Sequence, residues 1–367
     1  LISWKPVYIH ERNCVTPLGQ NIEENWQQLL AGKTAILQQD VGLIRDVFVA
    51  KMSHTTEWLR EDANHGTLLE RLLLKAAEPI LKIHRPSART ALVLATTKGE
   101  IGYLAHSDPA GAALTVLARK LAQKLHVVTE PIVVSHACVS GVLAISVAKR
   151  LMQMGLYDDA IVLAGDEASE FVLSGFQAFQ AMSPFPCKPF DKNRAGVSLG
   201  DAAACLYLSF EAGPFQVTGE AAINDANHIS GPSRTGEGLY QSVKRTMLEA
   251  SVTAKDIDFI SAHGTATPYN DEMEAIAFNR SGLGHVPLNS LKGYFGHTLG
   301  AAGLLETVVS LQAMEQRMLI PTLGFEELGT TQGLRVVREL KSAPIQKLLK
   351  TASGFGGSNA AILIEKI

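Results

Sequence analysis

The chain has 367 residues, 46% of them hydrophobic, and a formal charge of −3 at pH 7. So even a balance gives no electrostatic ground for a nucleic-acid or membrane-surface partner, and no apolar run reaches the ~18 residues that a membrane span needs. The four cysteines, Cys14, Cys138, Cys187 and Cys205, are scattered without a CxxC pair, which argues against a disulfide framework or a cysteine zinc site and predicts a reducing, cytoplasmic setting.

Taken in order, the hydrophobic pattern predicts a strand over 7–10, a turn at 17–19 and a helix that opens at 21–26 and ends at Gly32. Residues 38–65 read as loops and short elements. A helix over 67–83, a buried strand over 91–95 and a helix over 114–125 follow. A strand over 132–134 then runs into the turn Ser135-His136-Ala137-Cys138-Val139-Ser140-Gly141 and a helix over 142–151. Strands over 160–165 and 202–210 close the first half, 1–212. The second half, 213–367, repeats the alternation: a start near 215, a helix over 237–250, a strand over 257–262, a helix from about 271 and a strand over 286–291. An alanine-rich helix over 300–314, a glycine-rich turn over 351–357 and a strand over 360–365 complete it.

The halves echo each other. Residues 131–141 and 287–300 are both strand, glycine-containing turn, helix. Residues 200–208 match 357–364 in pattern, and 91–97 match 257–265. Strands alternating with helices imply parallel sheets covered on both faces. The echo implies two α/β halves around a pseudo-twofold axis.

Three glycine-flanked sites fall at predicted strand ends, where open α/β folds gather functional residues. They are Cys138, His263 and His297. Cys138 lies beside a helix N-terminus, where amide N–H groups and the helix dipole favour a thiolate. On this ground its activation is expected to rest on the helix position rather than on a base. His136 is not expected to serve it, because strand alternation turns that side chain away.

Ala137-Cys138, the run His263-Gly264-Thr265-Ala266-Thr267-Pro268, Lys292 with Gly296-His297 and Gly300-Ala301-Ala302-Gly303, and Gly354-Phe355-Gly356-Gly357-Ser358-Asn359 together resemble the elongating β-ketoacyl-[acyl carrier protein] synthases. Order and spacing match over essentially the whole chain. The second histidine separates it from the priming type, whose set resembles Cys-His-Asn. No second cysteine stands where thiolases use one. The resemblance implies an α/β thiolase-like fold: two duplicated five-layered α-β-α-β-α halves related by a pseudo-twofold axis. It implies acyl carrier protein as partner, a homodimer or a heterodimer with a related subunit, and no metal or cofactor beyond the carrier's phosphopantetheine.

It also implies roles. Cys138 would hold an acyl chain, and His263 and His297 would stabilise the enolate formed as malonyl-carrier protein loses CO₂. Lys292 and Glu306 would support them. The amides of Cys138 and Phe355 would form an oxyanion hole, with Phe355 a gate. Thr265 and Thr267 would contact pantetheine, and loop 224–232 would move at the entrance. Phe171, Phe176, Phe179, Phe185 and Phe190 cluster in a segment read as loop-rich, and Phe176 and Phe179 are expected to line the acyl pocket. The basic residues Arg60, Arg71, Lys188, Lys192 and Arg194 form only a thin candidate patch for the carrier. Two alternatives share the fold: a dedicated ketosynthase of a polyene or aryl-polyene pigment pathway, and a non-catalytic chain-length-factor partner, which typically lacks the nucleophile.

Overall fold

The computed structural model describes residues 4–53, 58–59, 66–106, 108–226 and 231–367. Arg60 and the middle of the 224–232 loop lie outside them. Two sets of five strands carry the fold. The first is β1 (Tyr8–Val15), β2 (Thr90–Ala95), β3 (Ile132–Val134), β4 (Asp159–Asp166) and β5 (Ala202–Ser209). The second is β6 (Phe215–Asn224), β7 (Phe259–Ser261), β8 (Pro287–Asn289), β9 (Lys347–Gly354) and β10 (Ser358–Lys366). Their spatial orders, β3-β2-β4-β5-β1 and β8-β7-β9-β10-β6, are the same order twice. In each set the first three strands are parallel and the fourth runs antiparallel to both neighbours. Tyr8 pairs with Gln216 and Ile9 with Phe215, so β1 and β6 join the sets edge to edge.

Helices α1 (Leu68–Ile83), α2 (Leu114–Lys124), α3 (Ser140–Gln153), α4 (Glu237–Glu249), α5 (Pro268–Arg280) and α6 (Ala302–Gln316) cover the strands. Leu72, Leu73 and Leu117 of α1 and α2 pack on Leu92 and Leu163 at one face of the first set. Leu239, Val243 and Phe278 of α4 and α5 pack on Ile260 and Leu363 of the second. Between the sets lie α3 and α6, with Val142, Ile145, Leu304 and Val308 in one cluster with Val93, Val162, Leu348 and Ile362. The five layers α-β-α-β-α thus run through both sets in turn, the fold type expected from the sequence. Every residue of α6 from Ala302 to Met314 is buried, as a helix enclosed on all sides must be.

The central helices meet backbone to backbone. A Cβ on Gly141 would lie 2.5 Å from the Leu304 amide nitrogen, and one on Gly303 would lie 2.7 Å from the Val142 nitrogen. Both separations are far inside van der Waals contact, so only glycine permits the crossing.

Three segments differ from the sequence expectation. Residues 347–354 form a full strand, β9, where only a glycine-rich turn was expected; Lys347 and Lys350 interrupt its apolar run. Residues 37–50 form a hairpin, Leu37–Val41 with Ile44–Ala50, whose second strand pairs with Leu199–Gly200. The phenylalanine-rich segment is helical over Glu170–Ala178, capped by Ser169, whose hydroxyl accepts from the Val172 amide. Gly175 and the aromatic spacing conceal that helix from periodicity.

Candidate active site

The nucleophile sits on a sharp turn between β3 and α3. Ala137 takes φ +46, a left-handed conformation that costs a non-glycine residue energy and persists only where the surroundings hold it. The Ser140 hydroxyl holds this turn from both sides. It accepts from the His136 amide at 2.8 Å and donates to the Ala137 carbonyl at 2.6 Å. Cys138 is buried and His136 exposed.

His263 leaves the end of β7. Its amide and that of Gly264 both donate to the Glu274 carboxylate of α5, at 2.8 and 2.6 Å. His297 follows the one-turn helix Lys292–Phe295 and Gly296, whose φ of +68 redirects the chain against Leu199. The His297 amide donates to the Ser198 carbonyl at 2.6 Å. Three strand ends from the two sets thus converge. His297 Nε2 lies 2.9 Å from Cys138 Sγ, and the two imidazole rings stand 5.2 Å apart, nearly perpendicular.

Beneath them is a buried chain of charges. The Lys292 ammonium donates to Glu306 Oε1 at 2.7 Å, to the His263 carbonyl at 2.5 Å and to His263 Nδ1 at 3.3 Å. An ammonium can only donate, so His263 Nδ1 presents its lone pair and Nε2 carries the proton. Glu306 Oε2 takes a second ammonium, Lys350, at 2.5 Å. Asp166 at the end of β4 accepts from the Thr96 hydroxyl, the Thr97 amide and the Gly300 amide at 2.8–2.9 Å. It ties the first sheet to the entry of α6.

Burial pushes the Cys138 thiol up to about 12, against the pull of Lys292. Burial, with the charges of Lys292 and Lys350, holds His297 well below its usual range. The resting pair is therefore a thiol facing a neutral imidazole. Against the expectation that the helix position supplies most of the activation stand the burial of the sulfur and a ready acceptor for its proton in His297 Nε2.

The donor atoms of Cys138, His263 and His297 lie within 4.8 Å of one another, close enough to share a metal ion. Lys292 opposes that use, because it keeps the His263 proton on Nε2. No metal is assigned to the trio.

The trio opens into a cavity of about 420 Å³. Thr265 and Thr267 line it, their hydroxyls 2.8 Å apart. Phe176, Phe179 and Phe355 line it too. Phe179 and Phe355 have ring centroids 5.5 Å apart, Phe355 and Phe176 5.8 Å, and Phe176 and His297 6.5 Å. Gly354 lies against the nucleophile: a Cβ there would stand 3.1 Å from the Cys138 amide nitrogen. The remaining phenylalanines do not join this wall. Phe171 is exposed on its helix, Phe185 is half-buried, and Phe190 is fully buried in the second set's core.

The basic candidates are committed elsewhere. Arg71 donates to the Leu59 carbonyl at 2.5 Å and Arg194 to the Asp191 and Gly329 carbonyls. Lys188 and Lys192 pair with Glu326 and Glu327. Conversely, sequence reasoning missed Glu274, Asp166 and Lys350. Glu274 carried a faint signal, as a buried-face acid at i+3 from Asp271 on a helix that follows the first histidine. The other two carried none.

A buried cysteine set against an imidazole pair, at the junction of two duplicated halves of a thiolase-like fold, defines an acyltransferase that forms carbon–carbon bonds. Residues 87–211 match the beta-ketoacyl synthase N-terminal domain and residues 215–326 the beta-ketoacyl synthase C-terminal domain. The chain belongs to the beta-ketoacyl synthase family. It is 26% identical over 400 residues to a 3-oxoacyl-[acyl-carrier-protein] synthase 2 of Coxiella burnetii, covering 96% of each chain. It is 32% identical over 252 residues to the enzyme of the same name from Rhizobium meliloti, covering 63% of this chain and 59% of that one. Among solved structures, a ketosynthase (ApeO) in complex with its chain length factor (ApeC) from Xenorhabdus doucetiae superposes with a TM-score of 0.88 at 25% identity, covering 99% of this chain and 98% of the other.

Proposed function

We propose that the protein is a β-ketoacyl-[acyl carrier protein] synthase that condenses an acyl chain held on Cys138 with malonyl-acyl carrier protein, releasing CO₂. The contact of 2.9 Å between Cys138 Sγ and His297 Nε2 carries this reading. In the first half-reaction the thiol proton passes to His297 Nε2 as sulfur attacks the acyl thioester carbonyl. The carrier's C–S bond breaks, and its thiol leaves with that proton. The amides of Cys138 and Phe355 are assigned to the tetrahedral oxyanion.

In the second half-reaction the bond to the malonyl carboxylate breaks. Its electron pair becomes the enolate, whose oxygen lies between the two imidazoles. His263 is set as a donor by Lys292. His297 Nδ1 has no hydrogen-bond partner among the described residues, so no bond locks its tautomer. It can accept from the thiol in the first half and donate to the enolate in the second. The enolate carbon attacks the acyl-Cys138 carbonyl, and the sulfur leaves as a thiolate that takes a proton from solvent to restore the resting thiol. No step calls for a metal or a separate cofactor. Thr265 and Thr267 are assigned to the amides of the phosphopantetheine arm.

The partners proposed are acyl carrier protein and a second subunit, identical or related. The outer edge of β3 supports the subunit. It ends the sheet with no strand beside it among the described residues, and native proteins seldom leave such an edge uncovered. All four cysteines are free and buried, which fits a reducing compartment.

A second reading concerns the acyl class. Phe179 is 62% exposed and Phe355 38% exposed on the cavity wall, and apolar rings left open to solvent at a site suit a planar, unsaturated or aryl-bearing chain by offset stacking.

The test is Cys138→Gln, whose amide stands in for the acylated sulfur. The variant should release CO₂ from malonyl-carrier protein without elongating, while Cys138→Ser should fold and neither load acyl chains nor elongate. Elongation by Cys138→Ser, or no CO₂ release above background by Cys138→Gln, would overturn the reading.

A further inference from the structure

Lys350 is a lysine where the fold asks for an apolar residue. It lies in the middle of β9, level with Ser261 of β7 on one side and Ile362 of β10 on the other. Strand alternation places it on the same face as Leu348 and Ala352, which belong to the central cluster with Leu304 and Val308 of α6. It is fully buried. Its ammonium donates to Glu306 Oε2 at 2.5 Å and to the Ser261 and Ala262 carbonyls at 3.2 and 3.3 Å. Those two carbonyls are the last before His263.

Its presence alters the charge count under the site. Lys292 and Glu306 alone would be a neutral pair. Lys350 adds a second ammonium to the same carboxylate, so Lys292, Glu306 and Lys350 together carry two cations and one anion; the neighbouring acid Glu274, which takes the His263 and Gly264 amides, is pushed up to about 7 by its burial. A buried charge in excess of its partner costs stability, and an apolar side chain of similar volume would pack here without that cost. A second buried cation has a use where a negative charge visits the site. Decarboxylation supplies one: the malonyl carboxylate arrives charged, and its electron pair stays behind as an enolate.

Resting on the condensation proposed above, we infer that Lys350 is a positioning residue for the decarboxylation half-reaction. It clamps Glu306 so that Lys292 stays on His263, and it adds a second positive charge beneath the two imidazoles. Lys350 touches no substrate and acts through Glu306, Lys292 and the end of β7. The groups facing His297 are Cys138, His263 and Phe176, with Lys292, Lys350 and Glu306 beneath, Glu274 behind the His263 amide and Asp166 beside the entry of α6. Of the two cations, Lys350 is the one whose removal leaves every side-chain contact of Cys138, His263 and His297 in place.

The experiment uses Cys138→Gln as background, full-length and with intact malonyl-carrier protein, and measures CO₂ release against pH with Lys350→Met added. Maximal release should fall roughly tenfold or more, as when charge aimed at a developing oxyanion is withdrawn. The acidic limb of the profile should move to higher pH, since His297 loses one of the two cations that keep it neutral. Acyl loading of Cys138 in a separate Lys350→Met variant should stay within about threefold of wild type, because the thiol is burdened mainly by its own burial. Lys350→Gln keeps a donor for the two carbonyls without the charge, so it should show the same fall and the same limb shift if Lys350→Met does not fold. Should neither fold, Glu306→Gln decides: it removes the negative charge shared by the two ammoniums and should move the limb to lower pH. Unchanged release with an unmoved limb, equal loss of loading and release, or an unmoved limb in Glu306→Gln would each overturn the inference. If the Cys138→Gln background itself releases no CO₂, the condensation reading fails instead.

Discussion

Cys138 is chemically quiet until it is paired. With its thiol pushed up to about 12 by burial, only a trace is thiolate at neutral pH, so free reactivity should climb with pH. Alkylation of Cys138 by iodoacetamide, followed by intact mass, should accelerate about tenfold per unit between roughly pH 6 and 9, since the thiolate is the reactive form. A plateau in that range would show a thiolate already formed. The same reasoning divides the two histidines. His297 faces the sulfur, and its loss should slow acyl loading by roughly a hundredfold or more, the usual worth of a positioned base. His263 is held away by Lys292 and Glu274, and His263→Ala should leave loading within about threefold while ending CO₂ release, because its proton is needed only at the oxyanion. Mass of the acyl-enzyme alongside labelled CO₂ separates the outcomes. Equal loss of loading in both variants would sink this division.

At the scale of single elements, legibility depended on whether the apolar pattern was left intact. β2 and β4 are buried along nearly their whole length and could be read directly from their residues. The turns carrying Cys138, His263 and His297 were legible because each follows a strand that the apolar pattern marks, β3, β7 and β8. β9 was not, because Lys347 and Lys350 break its apolar run for reasons of charge rather than of strand formation. The helix Glu170–Ala178 was hidden by its glycine and its exposed rings, and it is the element on which substrate choice is proposed to rest. Phe179 is its C-cap, half in the helix and half in the cavity mouth. Phe179→Leu keeps the apolar volume and removes the π-face, worth about 0.5–1.5 kcal/mol per aromatic pair. Elongation of a polyenoyl chain should drop by roughly threefold to tenfold more than that of a saturated chain of equal length, the rate equivalent of ~0.7–1.4 kcal/mol. Matched losses on both chains would reduce the rings to packing.

Over the whole molecule, the repeated strand order puts the sulfur at the end of β3 and His297 after β8, the counterpart of β3 in the second set, with His263 after β7, the counterpart of β2. What aligns them is the glycine crossing of α3 and α6. Gly141→Ala pushes a methyl into the Leu304 amide, and overpacking of this kind costs about 1–3 kcal/mol. The variant should melt lower than wild type and lose condensing activity more steeply than stability, whereas Gly102→Ala, with nothing within 4 Å of its new methyl, should do neither. Activity that survives Gly141→Ala in proportion to the folded fraction would show that the crossing tolerates a spread. The close approach at Gly141 and Gly303 also bears on how the chain matures. Each set can complete its own sheet and outer helices from nearby sequence, but the catalytic trio exists only after the two central helices have seated. A preparation in which that last docking is imperfect would contain well-formed, soluble protein with a normal circular-dichroism spectrum and little turnover. Specific activity, rather than secondary-structure content, is then the measure of how many molecules have finished folding.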